Sequence, residues 1–295
     1  MKRIKYAFSI NHVGALCFGI ALASMFYFGL ESQNEHNFLD RVIRKIDMVA
    51  GNSESSLEDD RFISEAVHST YYLLQRRTEI FRATSEDMPL KEKFFHSPIR
   101  ASIDGNGDCG GYSTFLMALL ERKGYHVKLC QMRVNGAYGG HITVCVQLPG
   151  RLVVVDPLYD ETFSDANGRL SDIRTVSAHW PYYRSRIADA GYRDEYDYNQ
   201  GYRFTNWDKF GPLTRGIYAS FSFFGGKEWA DTLSLRPYFF DTYQMEFIGS
   251  ALYICLYLLI NIGGIFSALR RRYTGKFNID LPKSRPQPFQ HTKAA

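Results

Sequence analysis

Cysteine is scarce in this sequence, and its distribution excludes one class of fold. Five cysteines occur in 295 residues, and Cys17 and Cys255 lie within long apolar runs. Three cysteines remain, so at least one of them lacks a partner within the chain. A small domain held together by several disulfides is therefore excluded. Cys130 and Cys145 either form one bridge or stay as two buried thiols, and Cys109 is expected to be free in both cases.

Several motifs of common binding proteins are also lacking. The sequence has no cluster with metal-ligand spacing, no phosphate-binding glycine loop and no basic recognition helix. Basic residues are concentrated at the two ends of the chain, whereas residues 31–244 carry an excess of acids over bases. An acidic segment repels a phosphate backbone. We therefore expect no metal, no cofactor and no nucleic-acid partner.

One acidic loop resembles the start of a calcium site. Residues 104–108 read Asp-Gly-Asn-Gly-Asp, which is the alternation of ligands and glycines that such loops use. The full pattern also needs Gly at its sixth position and Glu at its twelfth. Those positions are occupied by Cys109 and Phe115, so the sequence does not predict calcium binding.

Charged residues are absent from two long apolar runs. Neither Asp, Glu, Lys nor Arg occurs between Tyr6 and Leu30 or between Phe247 and Leu269. Each run is long enough to cross a bilayer as a helix that rises about 1.5 Å per residue. Basic residues flank both runs on the side of the chain terminus, which predicts cytoplasmic termini by the positive-inside rule. We therefore expect an integral membrane protein, of a bacterial inner membrane.

The apolar runs divide the chain into four predicted segments. The central one is an extracytoplasmic, periplasmic domain with its core at about 60–160 and an aromatic-rich region at 161–244. A cleaved signal peptide is the alternative for the first run, because Ala21-Leu22-Ala23 resembles a cleavage site. The apolar run continues past that site, which favours a retained anchor. The predicted segments are a basic N-terminus with a first transmembrane helix (1–30), the domain (31–244), a second transmembrane helix (245–269) and a basic, disordered tail (270–295).

Apolar residues at helical spacing predict two helices early in the domain. The first covers residues 38–49 and ends at Gly51-Asn52-Ser53. The second begins at a capping box formed by Ser55 and Glu58. Both are interpreted as core-packing helices.

A cysteine flanked by glycines stands at the start of the next predicted helix. Residues 107–111 read Gly-Asp-Cys-Gly-Gly, and apolar residues follow at helical spacing up to Gly124. Asp108 suits the N-cap position. A thiol in the first turn of a helix faces unpaired N–H groups and the positive end of the dipole, which favour thiolate. Cys109 is therefore either a nucleophile or a small buried apolar residue.

Three strand-like runs follow this helix, at 125–132, 141–148 and 151–157. A two-residue turn at Pro149-Gly150 would pair Leu148 with Arg151. Asp156 then lies diagonal to His141 on the same face of the sheet. A carboxylate within reach of an imidazole is the arrangement that a nucleophilic cysteine requires.

Other candidates on these strands have weaker positions. His126 follows the helix and so lies far from its start. Cys145 shares the face of His141 but stands further along the strand, where we expect a buried thiol beneath the helix. Asp160 and His179 are alternative partners for the cysteine site.

These motifs together resemble the transglutaminase-like cysteine proteinase superfamily, in its bacterial membrane-anchored form. The resemblance covers roughly residues 60–160, and its motifs are Cys109 in Gly-Asp-Cys-Gly-Gly-Tyr-Ser, Leu119-Leu120, Lys123-Gly124-Tyr125, Gly140-His141-Ile142 and Val155-Asp156-Pro157. It implies an α+β, papain-like core, in which the cysteine helix packs on a small antiparallel sheet. It also implies a catalytic triad of Cys109, His141 and Asp156. Many relatives have a small residue and an aromatic after the histidine, where this chain has Ile142-Thr143.

The resemblance implies a thiol enzyme that acts on amide bonds of peptide or protein substrates. Attack by Cys109 would form a thioester, which passes to water in a peptidase or to an amine in a transglutaminase. The backbone N–H of Cys109 supplies one oxyanion donor, and the sequence identifies no second. The alternative is a catalytically silent papain-like module that binds partners in cell-envelope assembly.

Overall fold

The computed structural model describes residues 2–51, 57–81, 97, 108–188, 191–207, 211–235 and 242–276. The acidic segment 104–107, Ser55 of the capping box and the tail beyond residue 276 lie outside these ranges. The chain forms two compact units. One is Phe26–Phe247, and the other comprises Met1–Met25 with Ile248–Ala295.

Two helices are long and apolar enough to cross a membrane, by length and composition. They are α1 (Lys2–Ala50) and the last helix, α8 (Thr242–Lys276), with apolar candidates at Val13–Ala50 and Tyr243–Asn261. The sequence predicted a separate helix at 38–49, but α1 is continuous. Residues 31–37 contain neither proline nor glycine, so nothing interrupts helical hydrogen bonding there. Likewise, α8 runs past Leu269 into the segment predicted to be disordered.

The unit Phe26–Phe247 is an α+β structure around one small antiparallel sheet. After α2 (Glu58–Phe81) and α3 (Cys109–Lys123), the chain forms strands β1 to β4 in succession. The sheet order is β4-β3-β2-β1-β5, so the first four strands form a meander. The strands are β1 (His126–Val134), β2 (Ala137–Leu148), β3 (Arg151–Asp156), β4 (Glu161–Thr162) and β5 (Tyr202–Arg203).

Short helices follow the meander and complete the domain. Between β4 and β5 lie α4 and α5, and a helical hairpin of α6 and α7 follows β5. Their bounds are α4 (Ile173–Ala178), α5 (Trp180–Arg184), α6 (Pro212–Gly225) and α7 (Lys227–Thr232).

The predicted register of the β2–β3 hairpin is confirmed. Leu148 pairs with Arg151, and the pairing continues in step to Val144 with Val155. Side chains therefore alternate between two covered faces of the sheet. One face bears the apolar side chains that pack against α1, α2 and α3, namely Ile142, Val144, Val146, Leu148, Val153 and Val155.

The second face of the sheet is covered by aromatic side chains from the irregular region after β4. Cys130, Cys145 and Val154 pack there against rings that include Phe163, Trp180, Tyr192, Tyr196 and Tyr198. The sequence placed Cys145 beneath the cysteine helix, and this was wrong. Its parity puts it on the same face as His141, whereas α3 packs on the opposite face.

Two side-chain contacts attach helix α2 to the β3 region, one between aspartate and arginine and one between histidine and aspartate. Near its start, Asp60 Oδ1 lies 2.6 Å from Arg151 Nη2, and Asp60 is 2% exposed. Two turns later, His68 Nδ1 lies 2.6 Å from Asp160 Oδ2 on the protein surface. The second contact lies further along both α2 and the β3 region than the first. The two contacts therefore hold the first half of α2 beside β3.

Candidate functional site

Cys109 is the first residue of α3, as the sequence predicted. Asp108 caps the helix, since its Oδ1 accepts a hydrogen bond from the N–H of Gly111 at 2.8 Å. At the other end, Gly124 takes the left-handed conformation with φ +107° and closes the helix. The cysteine is half-buried. Its thiol therefore stands in the first turn of α3, at the positive end of the helix dipole.

A serine one turn further along α3 connects this helix to the histidine strand. Ser113 Oγ donates a hydrogen bond to the backbone carbonyl of Ile142 at 2.8 Å, and Ser113 is fully buried. Ile142 directly follows His141, while Ser113 stands one helical turn after Cys109. The bond therefore fixes the two candidate residues relative to each other. The motif Gly-Tyr-Ser contained this serine, but its role depends on a contact across 29 residues.

His141 is positioned by a bulge in β2. Met132 pairs with His141, yet the next residue of β1, Arg133, pairs with Tyr138. Gly139 and Gly140 are thus the extra residues, and extra residues in one strand re-aim the side chains beside them. Gly139 has φ +91°, and a Cβ on Gly140 would lie 2.5 Å from Val134 Cβ. Only glycine allows the two strands to approach here.

Asp156 stands at the end of β3 and faces the histidine ring. Its Oδ2 lies 2.6 Å from His141 Nε2, and neither side chain is exposed to solvent. The other oxygen, Oδ1, accepts a hydrogen bond from the N–H of Leu158 at 3.2 Å. The carboxylate is therefore held by the backbone while it orients the imidazole.

The charges around His141 favour its protonated form. Burial lowers the pKa of His141, but the charge and hydrogen bond of Asp156 outweigh it, and the Cys109 thiol adds to them. Together they raise the pKa to about 9. At neutral pH the ring is then an imidazolium and places a positive charge beside Cys109.

Nδ1 is the ring nitrogen that remains for Cys109, because Nε2 is occupied by Asp156. This atom is buried and has no hydrogen-bond partner of good geometry among the described residues. The interaction with Cys109 nevertheless contributes to the pKa of the ring. Cys109 therefore lies near the ring without forming a hydrogen bond of good geometry to Nδ1.

Three tyrosines enclose the imidazole on the aromatic face of the sheet. The ring of Tyr196 stacks on His141 with centroids 4.1 Å apart and an angle of 5° between planes. Tyr159 and Tyr192 lie further out, with ring centroids 6.0 and 6.5 Å from the imidazole. The sequence indicated only an aromatic-rich region. No periodic pattern pointed to Tyr196, because it lies in an irregular segment.

The alternative residues do not join this site. Asp160 bonds to His68 on the surface, and His179 Nδ1 lies 3.2 Å from the carbonyl of Thr175. Cys130 and Cys145 are free, buried thiols. Burial, and then hydrogen bonding with Cys130, raises the pKa of Cys145, which keeps it protonated. Within the described ranges, no three His, Cys, Asp or Glu residues come together as metal ligands.

Comparison of the chain with known protein families, with curated proteins and with solved structures finds no match. The functional interpretation therefore depends on the geometry of the chain itself.

Proposed function

We propose that the protein is a membrane-anchored thiol enzyme of the transglutaminase-like, papain-like type. In this proposal Cys109 is the nucleophile, His141 is the general base and acid, and Asp156 orients the imidazole. The observation that carries it is the buried contact of 2.6 Å between His141 Nε2 and Asp156 Oδ2, beside a cysteine at a helix start. A nucleophile, a base and an orienting group are the parts of a triad.

The reaction follows from these positions. The Cys109 thiolate attacks the carbonyl carbon of an amide, and the negative charge passes to the carbonyl oxygen. In this proposal the backbone N–H of Cys109 donates a hydrogen bond to that oxygen. The C–N bond then breaks, and the leaving amine takes its proton from Nδ1 of His141. A thioester on Cys109 and a neutral imidazole remain.

The second half of the reaction restores the enzyme. Neutral His141 takes a proton from water or from an acceptor amine, which attacks the thioester. Water gives a carboxylic acid, whereas an amine gives a new amide. The thiolate leaves and the imidazolium forms again. Access of water to the thioester decides between hydrolysis and transfer.

The membrane part of the proposal rests on the two apolar helices and on the charges around them. Basic residues precede the candidate Val13–Ala50 and follow the candidate Tyr243–Asn261, in each case toward the chain end. We place both termini in the cytoplasm of a bacterial inner membrane and the domain 31–244 outside the cytoplasm. Peptide or protein substrates of the cell envelope would then be within reach of Cys109.

A second candidate function is a silent binding module in envelope assembly. The observation that favours it is the burial of the proposed base and its partner. His141 and Asp156 have no exposed surface, and Tyr196 is stacked on the imidazole ring. A domain whose site stays closed in this way would bind a partner without catalysing a reaction on it. The two functions differ in whether Cys109 can be acylated.

A nitrophenyl ester distinguishes the two functions. An active thiol releases nitrophenol in a burst of about one equivalent per chain as the thioester accumulates. We expect this burst in the full chain in detergent, and none in Cys109→Ala. Cys145→Ser serves as the matched control, because Cys145 is a fully buried thiol four residues beyond His141 on β2, and its replacement should leave the burst unchanged. A burst of equal size in Cys109→Ala would overturn the enzyme proposal, and no burst in either protein would favour the binding module.

A further inference from the structure

The hairpin of α6 and α7 is a distinct, tightly closed element that the proposed reaction does not use. The helices are joined at Gly226, which has φ +86°. Trp229 on α7 lies directly over Gly225, since a Cβ on that glycine would collide with the indole. Phe221 packs between Trp207 and Trp229, with ring centroids 6.2 and 5.7 Å away.

The outer surface of this hairpin is apolar and open to solvent. Phe223 and Phe224, at the tip, are 83% and 84% exposed, and Trp229 beside them is 45% exposed. Arg215 is the single charged residue of α6. Aromatic side chains left in water forgo roughly 25 cal/mol for each Å² that could be buried. An exposed apolar patch of this kind marks a surface that contacts a membrane or another protein.

The position of the hairpin in the chain identifies that partner. In the same unit, the rings of Phe28 and Tyr243 lie 5.9 Å apart, so the two ends at which the unit continues into apolar helices are neighbours. Helix α7 ends ten residues before α8 begins. Helix α7 is the last described helix before α8, so one short connection joins the hairpin to a helix that is long and apolar enough to cross a membrane.

We propose that the tip of the α6–α7 hairpin inserts into the lipid interface, with Phe223, Phe224 and Trp229 as the inserted side chains. This inference rests on the membrane anchoring in the proposed function and is independent of the catalytic part. Aromatic rings are favoured at the level of the headgroups. Lys227, the first residue of α7, carries a charge that attracts lipid phosphates, although Glu228 beside it offsets part of that charge.

The three tryptophans make the test direct. Neither apolar run contains tryptophan, and Trp180 and Trp207 are 5% exposed within the domain. In nanodiscs with one full chain each, bromine on the upper acyl carbons of the lipid should quench the emission of Trp229. Trp229→Phe should lose the quenched part of the emission. The double variant with Phe223→Ser and Phe224→Ser should show quenching as low as that of Trp229→Phe. Tyr72→Ser, an exposed aromatic on α2, is the matched control and should keep full quenching.

The outcomes separate this inference from its rivals. Equal quenching in the wild-type protein and in Trp229→Phe would overturn it. Quenching that appears only in nanodiscs with two chains would assign the surface to a second copy and would also overturn it. The nitrophenyl burst of Cys109 is measured on the same samples. A missing burst with retained quenching contradicts the enzyme proposal alone, and the reverse contradicts the lipid contact alone.

Discussion

The imidazole of His141 and the carboxylate of Asp156 meet at 2.6 Å in a part of the domain that solvent does not reach. The ring is charged in this contact, because its pKa is raised to about 9. An unfolded chain would release the same proton near the ordinary value of 6.5. The pair therefore stabilises the folded state fully below pH 6.5, and this contribution is lost as the pH rises through 9.

The first prediction concerns Asp156→Asn. Without the carboxylate, burial dominates and lowers the pKa of His141, so the positive charge that the proposed reaction needs beside Cys109 is lost at neutral pH. We expect alkylation of Cys109 by iodoacetamide at pH 7 to slow by roughly tenfold or more, since one unit of pKa corresponds to about 1.4 kcal/mol. Mass spectrometry of the Cys109 peptide measures the rate.

The pH dependence provides the control for this change. In the wild-type protein, stability should fall as the pH rises from 6.5 through about 9, whereas Asp156→Asn should show a flatter profile. Asp172, which caps α4 through the N–H of Arg174, is a matched aspartate away from the site. If Asp172→Asn slowed alkylation as much as Asp156→Asn, the assignment of the counter-ion would be wrong.

A second prediction tests Tyr196 as the cover of the imidazole. Tyr196→Ala removes the ring that stacks on His141, and Tyr196→Phe retains it. We expect large alkylating reagents to react with Cys109 faster in Tyr196→Ala relative to iodoacetamide, because access is the step that the ring limits. The ratio of the two rates is the measurement. An unchanged ratio in Tyr196→Ala would show that the tyrosine does not restrict access.

The third prediction concerns the bulge in β2. A methyl group at residue 140 meets Val134, so Gly140→Ala should destabilise the domain by about 1–3 kcal/mol and turn His141 away from Cys109. Thermal unfolding in detergent and the nitrophenyl burst measure the two effects. Gly216→Ala is the control, because a Cβ there meets nothing within 4 Å and alanine is favoured in a helix. A Gly140→Ala protein as stable and active as Gly216→Ala would contradict the role of the bulge.

A fourth prediction compares two ion pairs of aspartate with arginine. Asp60→Ala leaves Arg151 without its carboxylate in a nearly buried position, and also removes the acceptor for the N–H of Leu170. Loss of one partner of a buried pair costs about 3–5 kcal/mol, which corresponds to a midpoint lower by roughly 6–20 °C for a domain of this size. Asp40→Ala breaks an exposed pair with Arg122 and should change the midpoint little. Equal shifts would mean that burial of the pair does not matter.

The hairpin that holds His141 and Asp156 could be predicted from sequence for a physical reason. Strand parity has a period of two, so a two-residue turn determines which side chains share a face. The turn between β1 and β2 could be predicted from the sequence in the same way. Asn135-Gly136, with φ of +51° and +84°, is a strong hairpin signal, and it shows that β2 begins at Ala137 rather than at His141.

Other parts of the site could not be read in this way. The stacking of Tyr196 joins residues 55 positions apart through a segment without periodic pattern. The bond from Ser113 to Ile142 crosses from helix to strand. In both cases the contact depends on how separate elements pack, and local propensity does not specify that packing. The continuity of α1 was missed for a simpler reason, because polar residues between two apolar stretches do not by themselves end a helix.

The meander also has a consequence for how the chain selects its fold. A shift of β3 by one residue relative to β2 would move Asp156 to the apolar face, among Val144, Val153 and the helices. A carboxylate there would be buried without a charged partner, at a cost of several kcal/mol. The observed register places it against the imidazole of His141. The residues proposed for catalysis thus also act against misfolding, since they make the neighbouring registers unfavourable.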